Sequence, residues 1–238
     1  MEKRRSGGDS QWSGVRPART ILIILAVLAA VFVVDALLGR PAFVREHLAL
    51  RPRRALGPEP WQLFTSAFLH LQIGALLSTA ITFWFFGSPV EQQLGRAGLL
   101  RVLLFGTFAG SVATAALGWV IAPNAVVAGA GPASTALLAA FGVAYSSQPL
   151  SIFGVQQMRA STLAIVFLAI SGVLYLSNLD FLGLAGAAAG AGAGALTAMR
   201  GFDLGRKTTR WREQFNRWRI RRRYKVLPGG RDRRSFLN

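Results

Sequence analysis

Apolar stretches of similar length are the first pattern in this chain. They run over 20–39, 61–87, 102–122, 126–145, 160–179 and 181–199. A hydrocarbon core about 30 Å thick takes about 20 residues of helix to cross, and each stretch meets that length. Backbone amides and carbonyls inside lipid must find partners within their own segment, so each stretch is predicted to be a helix. Residues 102–158 include 57 consecutive positions without Asp, Glu, Lys or Arg, which cannot be the skin of a water-soluble domain. The expected fold class is an all-α membrane protein, a bundle of six transmembrane helices. The first stretch is too long for a signal-peptide core and lacks a small-residue cleavage site, so it reads as a retained span.

The polar positions between the stretches set the orientation. Lys and Arg number five in 1–19, two in 88–101, one in 146–159 and 14 in 200–238, against five in 40–60. With six spans the first four segments share one side, 22 basic residues against five, and the positive-inside bias makes that side cytoplasmic. The expected layout is a basic cytoplasmic N-terminal tail (1–19), a six-helix membrane domain (20–199) and a basic cytoplasmic C-terminal tail (200–238), in a bacterial inner membrane. The five Arg of 40–60 depart from the bias and point to a loop that is folded or rests on headgroups.

Charge changes the picture mainly at the C-terminus. The whole chain carries 27 Lys+Arg against 10 Asp+Glu, a net charge of +17, on a mean hydropathy of +0.40. Trp211, Phe215 and Trp218 recur at i, i+4 and i+7, one face of an amphipathic helix over 207–224, and Arg221, Arg222 and Arg223 lie among the Arg that occupy much of the rest. A basic helix with an aromatic stripe suits the anionic lipids of the cytoplasmic leaflet, or serves as a plain positive-inside anchor. Nucleic acid is the weaker partner, because a membrane-bound tail meets few such targets. The bilayer itself is the partner of the rest of the chain.

With no Cys and only His47 and His70, the chain offers no thiol chemistry and no donor set for a metal, and no cofactor is expected. Asp35, near the end of the first stretch, is an intramembrane acid and a functional hint by default; its nearness to Arg40 favours snorkelling to water. His47, in an Arg-rich interfacial loop, is expected to be solvated, and Trp61 to anchor at the interface. The run 183–195 is almost entirely Gly and Ala, and Gly186, Gly190 and Gly194 form a ridge that permits close helix packing. Ala133, Ala136, Ala139 and Ala140 of the fourth stretch are the small residues expected to face it.

Four segments together resemble the rhomboid family of intramembrane serine proteases. The second stretch opens with WQLFTSAFLH (61–70) and closes with FFGSPVEQQLG (85–95), similar to the family's Gly-x-x-x-Glu-x-x-x-Gly turn at Gly87, Glu91 and Gly95. PASTALLAAFG (132–142) is similar to the family's Gly-x-Ser-Gly segment, and LDFLGLAGAAAG (179–190) to its Gly-rich sixth span, with Gly186 and Gly190 as the paired glycines. The resemblance covers residues 55–200 and implies a six-helix rhomboid-like bundle. It also implies a Ser nucleophile on the fourth span, a His base on the sixth, and oxyanion donors from a His and an Asn on the second.

Carried onto this chain, the nucleophile position is Ser134, flanked by Pro132 and Thr135 where the family has glycines. A register one residue earlier keeps Gly131 but puts Ala133 at the nucleophile. Pro132 lacks a backbone donor and fixes φ, so both replacements are expected to reshape the oxyanion loop. The family's base position falls on Gly183, and no His follows His70 anywhere in the chain. His70 matches a non-catalytic His of the family, which places the oxyanion positions on Ala75 and Thr79. Glu91 is read as structural, accepting hydrogen bonds near the turn after the second span.

A Ser without a base is a weak nucleophile, and one oxyanion donor is worth about 10²–10³ in rate, so the resemblance implies a pseudoprotease. Inactive members of the superfamily bind client transmembrane helices, and Thr65, Ser66, Gln72, Ser78 and Thr79 are expected to line the cavity that admits them. Two other functions stay open: an active serine endopeptidase using Ser134 with an unrecognised base, and a membrane scaffold acting through its basic tail.

Overall fold

A computed structural model describes residues 18–39, 41–146, 149–152 and 156–201. The tail residues Trp211, Phe215, Trp218, Arg221, Arg222 and Arg223 lie outside the described residues, as does nearly all of the N-terminal tail.

The described chain is mostly helical. In order it forms α1 (Arg19–Leu37), three short helices α2 (Ala42–His47), α3 (Pro52–Ala55) and α4 (Gln62–Thr65), the long α5 (Ile73–Ile121), and α6 (Gly131–Ala144). An antiparallel hairpin follows, β1 (Pro149–Ile152) paired with β2 (Gln156–Arg159), then α7 (Ala160–Ser177) and α8 (Phe181–Gly201). Four of these helices, α1, α5, α7 and α8, are long and apolar enough to cross a membrane, while α6 is apolar but shorter.

The 49 residues of α5 would make a straight rod of roughly 74 Å, more than twice the hydrocarbon thickness. It is not straight. Gly95 sits at φ 74°, ψ 168°, a conformation that residues with a Cβ rarely adopt, and there the run breaks into two lengths that each suit a bilayer. The expected loop 88–101 is therefore helix on both sides of one glycine.

Two expected span boundaries move. The second stretch does not become helical as one piece from 61: α4 is a single turn, and the span helix starts at Ile73. The fourth begins at Gly131 rather than 126, because 126–130 is spent on other partners. Leu50 and Val127 exchange backbone hydrogen bonds of 2.8 and 3.0 Å, and Gly129, at φ 122°, donates to Ser66 O at 2.9 Å. Pro132 then occupies the first turn of α6, where a missing N–H costs nothing. Pro132 thus starts a helix rather than distorting a loop.

The motif at Gly87, Glu91 and Gly95 docks α1 as well as turning the chain. Gly87 has no side chain because Ile21 of α1 fills that space. Ser88 Oγ accepts the Ala18 amide at 2.8 Å, and Glu91 Oε1 accepts Thr20 Oγ1 at 2.8 Å. Three contacts within little more than one helical turn of α5 fix the first helix against its first half.

Residues 42–65 form a folded cap rather than a loose loop, and Gln62 is its keystone. Its side chain is fully buried, accepts the Arg51 amide at 2.9 Å, and donates to Glu46 O at 3.1 Å and to a Glu59 oxygen. Glu59 also pairs with Arg54 at 3.6 Å and with His47 Nδ1 at 3.2 Å. His47 is therefore hydrogen-bonded to Glu59 and not simply solvated. Its carbonyl accepts Trp61 Nε1 at 3.0 Å, and Thr65 Oγ1 donates to Leu48 O at 2.9 Å. Replacing Gln62 with Leu strands a buried donor, so Gln62→Leu is expected to cost about 2 kcal/mol, seen as a lowered unfolding midpoint in detergent.

The centre of the bundle is α6. Thr135, Ala136, Leu137, Leu138, Ala140 and Phe141 are all buried. It lies between the second half of α5, where Gly106 meets Ala136 and Gly110 meets Pro132, and α8, whose Gly190 meets Pro132 and whose Gly194 meets Ala136. The expected partners of the glycine ridge are thus corrected to Pro132 and Ala136, not a run of four alanines: Gly190 and Gly194 press on their backbone, while the Pro132 ring and the Ala136 methyl group turn to Gly110 and Gly106 of α5. In contrast, α7 buries only Ala160 and Ala164 and leaves Ile165, Ile170, Val173 and Leu174 exposed.

Candidate functional site

The residues to test are those at the positions of a nucleophile, a base and oxyanion donors. Ser134 lies in the first turn of α6, where its amide donates to Ala130 O at 2.9 Å. Its Oγ is buried and has no hydrogen-bond partner among the described residues. A hydroxyl attacks a carbonyl only when a base can take its proton, and no such group among the described residues bonds this one.

The base position, Gly183, is not merely empty of imidazole. A Cβ there would lie 2.5 and 2.7 Å from Tyr175 Cε1 and Cδ1 and would also strike an oxygen of Asp180. The other oxygen of Asp180 caps α8 by accepting the Gly183 amide at 2.8 Å. The Tyr175 hydroxyl in turn sits over Gly131, where a Cβ would be 2.7 Å away. One aromatic side chain from α7 therefore bridges Gly183 and Gly131, the space between the starts of α8 and α6. Sequence reasoning missed Tyr175, although a Tyr inside an otherwise apolar helix is a signal, since its hydroxyl needs somewhere polar to go.

The two oxyanion positions separate. Ala75 is exposed on the surface of α5, whereas Thr79 is buried, with its Oγ1 3.3 Å from His70 Nε2. The same ring nitrogen accepts the Ala130 amide at 3.5 Å, so His70 links the first half of α5 to the residue that precedes α6. Accepting at Nε2 leaves the proton on Nδ1. Burial holds this imidazole below the ordinary histidine range, offset in part by the Phe68 backbone. It lies before α5 begins.

Thr135, expected to crowd an oxyanion loop, instead joins two helices. Its Oγ1 donates to Ala187 O of α8 at 2.9 Å. Thr114 does the same one turn away, reaching Leu182 O at 3.1 Å. Such cross-helix hydrogen bonds complement the glycine contacts and make the α5–α6–α8 seam rigid.

The polar lining expected for a client cavity is not assembled. Gln72 and Ser78 are exposed, Thr65 is tied to Leu48, Ser66 is buried, and Thr79 faces His70. A cavity of about 270 Å³ lies elsewhere, between α1 and α5, and its walls are apolar: Ile24, Val27, Phe64, Phe68, Leu100 and Leu104 are among them. It also touches Ala130 and Ala133, just short of Ser134.

A family model for the rhomboid domain matches residues 57–200, more than half of the 238-residue chain. The chain belongs to the rhomboid family. The kinked α5, the central α6 and the glycine seam are the body of this rhomboid domain, and with its apolar helices the protein is an integral membrane protein in contact with the lipid bilayer. Among curated proteins it is similar to RHOMBOID-like protein 12, mitochondrial, of Arabidopsis thaliana, 42% identical over 50 residues, which is 21% of this chain and 15% of that protein. It is also similar to Rhomboid protease GlpG of Klebsiella pneumoniae (strain 342), 32% identical over 80 residues, 33% of this chain and 28% of that one. The matched stretches span less than a third of either relative.

Proposed function

We propose that this rhomboid is proteolytically inactive and binds the transmembrane helices of client membrane proteins. The observation that carries the reading is the filled base position: the Tyr175 ring and the Asp180 carboxylate occupy the space that a side chain on Gly183 would need. Support comes from Ser134 Oγ, buried without a partner, and from the absence of His beyond position 70. The bundle crosses the membrane six times in this reading, the two lengths of α5 counting as two spans, with both termini cytoplasmic. The basic tail holds anionic lipids through Trp211, Phe215, Trp218, Arg221, Arg222 and Arg223.

Client binding is supported by what α7 leaves unpaired. A span that buries two residues of 18 and otherwise meets the bundle through side chains such as Tyr175 keeps an apolar outer face that has only lipid or another helix to meet. The apolar cavity beside α1 offers a second surface of the same chemistry.

The similarity to the Klebsiella relative, a rhomboid protease by name, favours the second reading, cleavage through Ser134. A fluorophosphonate probe separates the two. Purified protein in detergent is expected to take up no label, with a cleaving rhomboid labelled alongside as control. Labelling that disappears in Ser134→Ala would overturn the inactive reading and establish a serine endopeptidase.

A further inference from the structure

Asp35 is an acid in a place that does not suit one. It is 5% exposed, and its Oδ1 is buried with no hydrogen-bond partner among the described residues. It does not snorkel to water, as its nearness to Arg40 suggested. Instead it lines a cavity of about 280 Å³ between α1 and α2 whose other walls are Ala30, Val31, Val34, Leu38, Val44 and Leu48. A carboxylate oxygen left unpaired among aliphatic side chains is costly, and polar groups kept inside a membrane despite that cost are characteristically functional.

The cavity itself narrows what answers the carboxylate. A water molecule needs two to four polar partners, and these walls supply one. A metal ion needs several oxygen donors, and a single carboxylate does not provide them. What fits is a cation attached to an apolar body, arriving from the lipid phase. The depth agrees: Asp35 stands 16 residues beyond Arg19, about 24 Å along a helix of span length, level with the headgroup side of the hydrocarbon core.

We propose that the α1–α2 cavity is a binding site for one phospholipid with a primary-amine headgroup, its ammonium donating to Asp35 and an acyl chain lying along Val31, Val34, Leu38 and Val44. This site is separate from Ser134 and independent of the client-binding reading. A primary ammonium offers three donors to the carboxylate, whereas a choline headgroup of the same charge offers none.

The test uses the full chain in maltoside detergent, delipidated and reloaded with phosphatidylethanolamine, phosphatidylcholine or phosphatidylglycerol of identical acyl chains, with retained lipid read by native mass spectrometry. Phosphatidylethanolamine is expected to be retained about tenfold over the other two, and the near-isosteric Asp35→Asn to erase that preference while leaving the others unchanged. Val44→Trp, which fills the cavity and keeps the carboxylate, is expected to lower retention of all three. Equal retention of the three lipids by wild type, or a preference that survives Asp35→Asn, would overturn the proposal. So would Asp35-dependent capture of a lipid-free model helix bearing one Lys when no preference for phosphatidylethanolamine exists, since the cavity would then belong to a protein amine.

Discussion

Gly190→Val is expected to abolish the folded protein, or nearly so. A Cβ at this position lands on the backbone of Pro132, at the carbonyl oxygen, the carbonyl carbon and Cα, and backbone cannot turn aside as a side chain does. The only relief is to push α8 away from α6. That movement also strains the 2.9 Å bond from Thr135 to Ala187 O and the contact of Gly194 with Ala136. Overpacking of a tight core costs about 1–3 kcal/mol, and the lost hydrogen bond adds about 1 kcal/mol, a large share of any domain's stability. The control is on the same helix. Gly192 is exposed and has nothing within 4 Å of a Cβ, so Gly192→Val is expected to be nearly silent. Size-exclusion profiles and unfolding midpoints in detergent compare the two; equal behaviour would mean the seam is not what holds α8.

The contrast between Gly190 and Gly192 also marks where the sequence was readable. Span-length apolar runs expose a membrane bundle because lipid forbids any other backbone solution, and the ridge of Gly186, Gly190 and Gly194 was visible by spacing alone. What faced the ridge was not. Ala136 could be guessed by size, but Pro132 is bulky, and only its place in the first turn of α6 turns its ring toward Gly110 and its backbone toward Gly190. The start of the second span was misplaced for a related reason. Residues 61–72 are apolar enough for a helix, yet Ser66 O is taken by the Gly129 amide and Thr65 by Leu48, contacts with residues far away in sequence. Periodicity carries no information about such partners. For the site, the absent His was plain in the sequence, whereas the reason its place cannot simply be refilled lies in Tyr175 of a neighbouring helix.

Asp35 and Glu91 show the same limit with the opposite sign. Both are acids bordering apolar stretches, and by sequence Asp35 looked the easier to solvate. In the fold, Glu91 Oε1 takes the Thr20 hydroxyl and secures α1 although its Oε2 is buried without a partner, while Asp35 lines an apolar cavity and none of the described residues bonds its Oδ1. The difference arises from what packs across from each: a hydroxyl on α1 in one case, Val44 and Leu48 of the cap in the other.

Restoring the histidine alone is expected to fail. Gly183→His places a Cβ against Tyr175 and Asp180, so the new imidazole must displace the Tyr175 ring or break the Asp180 cap on α8 before it can approach Ser134. Losing the cap costs about 1 kcal/mol, and the steric strain adds to it. The expected result is a destabilised variant that remains unlabelled by a fluorophosphonate probe. Adding Tyr175→Ala makes room for the ring, so Gly183→His/Tyr175→Ala is expected to recover stability relative to the single variant. It too is expected to stay unlabelled within detection, because Ala75 is exposed and Thr79 spends its hydroxyl near His70, leaving no second-span donor for an oxyanion. One such donor is worth about 10²–10³ in rate, so base and space together still leave a deficit of that size. Ser134-dependent labelling in the double variant but not the single one would make Tyr175 the block and the second span dispensable. Labelling in the single variant would show that the Tyr175 ring yields freely, and the filled base position would no longer support an inactive rhomboid.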